Sequence, residues 1–267
     1  MAEPNGLPPR FPYRFSLAGK FSFLVYFIVT LFFVWSLDKV GLSPIELATG
    51  VPNMVRLIGE MVPPNFSRIK YIGEAILITF QMALVGATLG IFFSLFLSIL
   101  AARNLSPHPI IFHISRTMIA FFRTVPDLVW AIFFVATVGL GPFAGTLTII
   151  VDTMGFCGRF FAEAMEEVDQ GPKEALSAIG ASRLGIIFSA VIPGAIPSFT
   201  NSSLFSLEKA VRSSVVLGLV GAGGIGIELK VAMDMFMYPE AATIILFVFV
   251  LVLAVEQISS KIRNQFI

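Results

Sequence analysis

The sequence predicts an all-α membrane protein with about six transmembrane helices. Three observations predict it. Hydrophobic residues make up 56% of the 267 and charged residues only 13%, whereas a soluble domain carries about a quarter charged residues. Uncharged runs near the length of about 20 residues that a spanning helix needs recur along the chain. Lysine and arginine then sort unevenly between the intervals that separate those runs. The net charge of +1 gives no signal for nucleic acid, and the single cysteine excludes an internal disulfide or a cysteine-based zinc cluster. His108 and His113 have no further ligand types beside them, so neither a metal nor a cofactor is expected.

Taken in order, residues 1–20 form a tail rich in proline and arginine. Run 21–37 has 17 uncharged residues, the short limit for a span. It is too long for a signal-peptide core and no small-x-small site follows, so it reads as an uncleaved anchor. Segment 38–73 is amphipathic. Ser43-Pro44-Ile45-Glu46 matches a capping box with proline at the first helical position. Met54, Leu57, Ile58 and Met61 share a helical face, and Arg56 and Glu60 stand four apart. Such a helix lies on the membrane surface or packs outside it.

Residues 74–260 hold the remaining spans. Run 75–102 has 28 uncharged residues and contains Gly86-x-x-x-Gly90, which lets another helix approach closely. Run 128–151 is broken by Gly139-Leu140-Gly141-Pro142, so two helices are expected there, over about 117–138 and 142–161. Pro126 should kink the first of them. A fifth helix is expected over about 194–220 and a sixth over about 239–258, before a short tail at 261–267.

Six spans put both termini on one side. That side would hold Arg10, Arg14, Lys20, Arg103, Arg116, Arg159, Lys173, Arg183, Lys261 and Arg263. The other would hold only Lys39, Arg56, Arg68, Lys70 and Lys230. The bias places both termini in the cytosol, with segment 38–73 outside.

No catalytic constellation is present: there is neither a P-loop nor a metalloprotease helix. Gly221-x-Gly223-x-x-Gly226 spells the dinucleotide fingerprint, but it ends a membrane helix rather than following a strand. Close packing or bending beside a pathway, or a helix stop with a tight loop, are the readings left. Charges at membrane depth cost about 2.5–3.5 kcal/mol each on insertion scales. Spacing allows Glu208 to pair with Arg212, and Arg123 with Asp127. Otherwise Arg212, followed by Ser213 and Ser214, lines a polar path for an anion, with Arg123 a further candidate, or these charges lie near a membrane face and are solvated.

The polar interval near 171–181 reads as a short helix. Gly171 is the expected cap, Pro172 the first helical residue, and Glu174 an acid at the positive end of the dipole. Gly180 suits the C-terminal end or a close backbone approach. Two turns are unstable alone in water, so this helix must pack against its own bundle or a partner.

Glu174-Ala175-Leu176, Gly180 and Ala190-Val191-Ile192-Pro193 resemble the EAA loop of ABC importer permeases, whose pattern is E-A-A, three residues, G, nine residues, I-x-L-P. Leu176, Ala190 and Ile192 depart from it by apolar changes, and the spacing from Gly180 to Pro193 is kept. Residues 122–131, 138–145 and 161–169 look like the phosphonate-transport permeases, and residues 211–226 match them most closely. The resemblance covers about residues 70–265; residues 1–70 carry no matching motif.

The resemblance implies a type I ABC importer fold in a bacterial inner membrane. It implies two copies of the chain forming one path for phosphonates or related phosphorus oxyanions. Two copies of a separate ATPase subunit would hydrolyse ATP, and a periplasmic or lipid-anchored binding protein would deliver substrate. Glu174, Ala175, Gly180 and Pro193 would couple to the ATPase. Arg123, Arg212, Ser213 and Ser214 would line the path. Gly221, Gly223, Gly224 and Gly226 would form a gate or a binding-protein contact. Two readings rival it: a stand-alone secondary transporter for a small anion, which lacks a convincing inverted repeat, and a membrane-embedded enzyme, for which the only candidate acids at depth, Asp127, Asp152 and Glu208, are scattered.

Overall fold

The computed structural model describes residues 17–266, and every regular element among them is helical. Arg10 and Arg14, counted in the charge bias, lie outside the described residues. The chain falls into two units, residues 1–58 and 59–267. In the first, α1 (Leu17–Lys39) begins before the uncharged run, and its side chains from Phe21 onward are exposed apart from a half-buried Ser36. The next helix, α2 (Pro44–Met61), runs across the boundary between units. The expected cap at its start forms: the Glu46 amide donates to Ser43 Oγ at 3.2 Å.

The second unit is built around three long helices: α3 (Ile69–Ala101), α6 (Pro142–Glu167) and α9 (Ile192–Gly218). The expected small-residue pair sets the spacing of the first two. A Cβ at Gly86 would stand 2.7 Å from Ile149 Cβ, and one at Gly90 2.5 Å from Thr153 Cβ. Only hydrogen fits, so α3 and α6 meet backbone to side chain. The polar groups in this seam are internally satisfied, as an apolar medium requires. Ser94 Oγ donates to the Gly90 carbonyl at 2.7 Å, and Ser206 Oγ donates to Thr153 Oγ1 at 3.3 Å.

Around this core lie α4 (Pro109–Thr124), α5 (Asp127–Val138), α10 (Ile225–Asp234) and α11 (Tyr238–Phe266). Residues 117–138, expected as one kinked helix, form two helices bent by 91°. The cause is local. Proline drives the residue before it out of the α region, and Val125 is extended with ψ 122°. Trp130 fills the corner against Phe121 and Phe122, at 5.7 and 6.2 Å between ring centroids. His108, considered above as a metal ligand, instead caps α4: its Nδ1 accepts from the Ile110 amide at 3.2 Å.

Four helical stretches among the described residues are long and apolar enough to cross a membrane, or five if α4 and α5 count as one broken span. The most interior helix, α6, falls outside that set. It carries Asp152 and Arg159, and its buried face is built from Gly145, Thr148, Thr153, Gly155 and Gly158. A helix wrapped by neighbours needs small residues more than apolar ones.

The long helices define two ends. At one, α3 and α6 finish beside each other: the Arg103 amide donates to Glu166 Oε1, and Arg116 pairs with Glu166 at 2.7 Å. Chain continuity places α7 (Gln170–Ala178) here. At the other, the start of α6 meets the turn after α9, where the Gly141 amide donates to the Gly221 carbonyl at 3.0 Å.

Candidate functional site

The residues singled out by sequence fall into three places. The first is α7. Its cap is Asp169, whose carboxylate accepts from the Gly171 amide at 3.2 Å. The helix thus begins before Gly171, the expected cap, and Pro172 and Glu174 sit further inside it than spacing alone indicated. An aspartate outcompetes a glycine because it supplies an acceptor for the orphan amides. Glu174 and Ala175 are exposed. Gly180 ends the helix with φ +78°. Its amide donates to the Ser177 carbonyl and that of Ala181 to the Leu176 carbonyl, both at 3.0 Å. This pair of bonds is a Schellman closure, which needs a left-handed residue at Gly180. A Cβ there would meet nothing within 4 Å. Conformation, not crowding within the chain, requires this glycine.

From α8 (Arg183–Ile186) the helical path runs through a π-helical turn at Ile187–Val191 into α9. The Ile192 amide donates to the Ile187 carbonyl, five residues back. Pro193 lies just beyond. Proline has no amide to donate and its ring clashes with the carbonyl four residues before it; one wide turn accommodates both effects. Pro193 therefore sits inside a continuous helical stretch from Arg183 to Gly218.

The second place is the outward stripe of α9. Ser198, Asn201, Phe205, Arg212 and Val216 are exposed and Lys209 half-buried, at intervals of three or four residues. The opposite stripe, including Ala195, Phe199, Ala210 and Val211, is buried. The ion pairs differ from those that spacing allowed. Glu208 pairs with Arg263 of α11 at 2.9 Å, and Lys209 with Asp152 of α6 at 2.7 Å. Asp127 accepts from Ser213 Oγ at 3.0 Å. Neither Arg123 nor Arg212 has a carboxylate partner among the described residues. Ser214 turns the other way: it is fully buried, and its hydroxyl donates to the Val211 carbonyl at 2.8 Å. The structure thus brings Ser213 to Asp127 and Lys209 to Asp152, leaves Arg212 exposed, and keeps Ser214 inside the bundle.

The third place is the glycine run. Gly221, Gly223 and Gly224 have φ of +89°, +90° and +72° and form the turn from α9 into α10. A Cβ at Gly223 would lie 2.6 Å from Pro142 N, and one at Gly224 2.6 Å from Thr79 Oγ1. Thr79 Oγ1 in turn accepts the Ile225 amide at 2.7 Å, so α3 caps α10. Gly226 faces Gly218, where a Cβ would strike the Val215 carbonyl. The run is a packed joint where α3, α6, α9 and α10 converge.

The sequence matches the family model described as the binding-protein-dependent transport system inner membrane component, over residues 94–262. The chain belongs to that family. It is therefore the permease component of an ABC importer, a transport subunit rather than a catalytic one. The permease is 37% identical over 225 residues to the phosphite transport system permease protein PtxC of Stutzerimonas stutzeri, covering 84% of this chain and 82% of that one. It is 38% identical over 227 residues to the phosphate-import permease protein PhnE of Mycolicibacterium smegmatis, covering 85% of this chain but 43% of that longer protein. Among solved structures, the inward-facing MetNI methionine ABC transporter aligns at a TM-score of 0.65 and 23% identity, over 75% of this permease and 99% of that chain. That similarity establishes the shared fold.

Sequence reasoning missed several features of this permease. The contact of Asp152 with Lys209 spans 57 residues, beyond the reach of any local spacing. Arg116 and Arg159 counted only as charge-bias residues, yet each pairs with a glutamate of α6, Glu166 and Glu163. The π-helical turn had one available signal, a proline directly after an apolar helical run.

Proposed function

We propose that this permease carries phosphorus oxyanions, of the phosphite and phosphonate class, across a bacterial inner membrane as a homodimer driven by ATP. Six spans, with α6 and the bent pair among them, leave both termini in the cytosol. Two ATPase subunits act on α7 through Glu174, Ala175 and Gly180, and Pro193, at the start of α9, receives that motion through the π-helical turn before it. A periplasmic or lipid-anchored binding protein delivers substrate to the opposite end, where Gly221, Gly223, Gly224 and Gly226 form the joint that opens and closes.

The observation that carries this reading is Arg212. It is exposed and without a carboxylate partner among the described residues, on a helix long and apolar enough to span a membrane. A guanidinium facing lipid is costly. A water-filled path between two copies removes that cost, and the positive face made by Arg212, with Ser213 beside it, suits an oxyanion. Ser214, buried in one copy, joins the path only when α9 turns. Similarity to permeases named for phosphite and phosphate import supports the same class. ATP binding shifts the dimer between two global states by favouring one of them.

The test is ATP-driven phosphite uptake by vesicles holding the permease, its ATPase and its binding protein. Arg212→Ala is expected to lower uptake about tenfold or more, the value of one charge-assisted hydrogen bond, with binding-protein affinity unchanged. Undiminished uptake would refute the path assignment.

A further inference from the structure

Arg116, Arg123 and Arg159 line a single cleft between α4 and α6, with a volume of about 380 Å³. Helix packing brings them together. At Gly155 a Cβ would stand 2.9 Å from the Arg123 amide nitrogen, so the last turn of α4 lies directly on α6. One turn earlier, Gly158 receives Ile119, where a Cβ would stand 3.2 Å away. These two glycines seat the last turns of α4 on α6, so Arg123 and Arg159 line the same cleft.

The donors of this cleft are not used up. Arg116 donates Nε to the Ala101 carbonyl at 2.8 Å and Nη2 to Glu166 at 2.7 Å. Arg159 donates Nε to Glu163 at 2.8 Å, leaving both terminal nitrogens. The Arg123 side chain makes no hydrogen bond or ion pair among the described residues. Glu163 is the one acid of the lining, against three arginines. Thr124 adds no donor, because its hydroxyl is committed to the Ala120 carbonyl at 2.7 Å. Two guanidinium groups with free planar forks, from two helices, fit a tetrahedral oxyanion better than a carboxylate or a cation.

The geometry points to a phosphate-type oxyanion site in the α4–α6 cleft, held by Arg123 and Arg159, with Arg116 at its rim and Glu163 opposing it. The site shares no residue with the outward stripe of α9 and goes beyond the transport reading, since its chemistry stands on these side chains alone. Glu163 shares Arg159 with the ligand. An anion entering the cleft takes up the terminal nitrogens of Arg159, and repulsion from Glu163 keeps its stay short. Two sources supply this chemistry: a free phosphorus oxyanion, or the phosphate of an anionic lipid whose chains lie along the neighbouring exposed face of Ile114, Met118 and Phe121.

The experiment uses the full-length permease in nanodiscs. One arm titrates inorganic phosphite into phosphatidylcholine discs; the other measures enrichment of phosphatidylglycerol around the protein in mixed discs. Arg123→Gln and Arg159→Gln are expected to weaken whichever ligand binds by about tenfold or more. Glu163→Gln is expected to tighten it, which a merely structural glutamate would not do. Loss in the phosphite arm assigns a free oxyanion; loss in the phosphatidylglycerol arm assigns a lipid headgroup; both support the site. Absence of binding in both arms, or binding indifferent to both arginine variants with circular dichroism unchanged, would overturn it. Normal ATP-driven phosphite uptake with no such binding would sink this site alone. Binding here without uptake would sink the transport reading alone.

Discussion

Gly180 and Gly226 look alike in the sequence, each a glycine closing an apolar or helical stretch, and the structure needs them for opposite reasons. At Gly180 the backbone is left-handed and the surrounding space is open. At Gly226 the backbone is ordinary α10 helix, but a Cβ would strike the Val215 carbonyl and crowd Gly218. The first glycine ends an exposed helix whose contacts within the chain are few. The second belongs to a joint where four helices converge without room for a methyl group. The difference separates an exposed helix end with open space around it from a joint packed against its own chain. It also says how each should respond to substitution.

Gly226→Val should have the largest effect. Overpacking commonly costs about 1–3 kcal/mol, and here the obstacle is backbone, so the upper figure or more is expected. Thermal unfolding of the purified protein would read it, and an unchanged midpoint would remove the joint from this account. Asp152→Ala comes next. It strands Lys209, and breaking a fully buried pair costs about 3–5 kcal/mol. Lys209 is 36% exposed, so screening reduces this to about 1–2 kcal/mol. Double-mutant cycles with Lys209→Met should recover most of it.

The smallest effect on stability belongs to Gly180. A left-handed non-glycine residue costs about 1–2 kcal/mol, and α7 can fray to avoid most of that. Gly180→Ala should therefore barely move the unfolding midpoint, and Gly180→Asn less still, since asparagine tolerates this conformation. Both should lower ATPase co-purification if α7 docks as proposed. Docking that survives Gly180→Ala but fails with Gly180→Trp would trace the requirement to space at the partner rather than to the Schellman turn.

What was legible in the sequence follows from the range of each interaction. Uncharged runs place the long helices, because crossing a bilayer is a property of one segment. The Ser43 cap and the Gly86–Gly90 approach were readable for the same local reason. Partner choice was not. Spacing joined Glu208 to Arg212 and Arg123 to Asp127, since only residues on the same or adjoining turns can be compared in one dimension. The bundle instead gives Glu208 to Arg263 and Lys209 to Asp152. Pro126 announced a disturbance, but not its 91° size. Asp169 caps α7 although Gly171-Pro172 spells the stronger helix-start motif.

The central claim is that the outward stripe of α9 borders water rather than lipid. Cysteines placed singly along α9 test it most directly, scored by labelling with a charged, membrane-impermeant thiol reagent in sealed vesicles. Asn201→Cys and Val216→Cys should label, and ATP with loaded binding protein should change their rates, while Phe199→Cys and Ala210→Cys stay inert. If Asn201→Cys and Val216→Cys react only with lipid-soluble reagents, the stripe faces the bilayer and Arg212 lines no path.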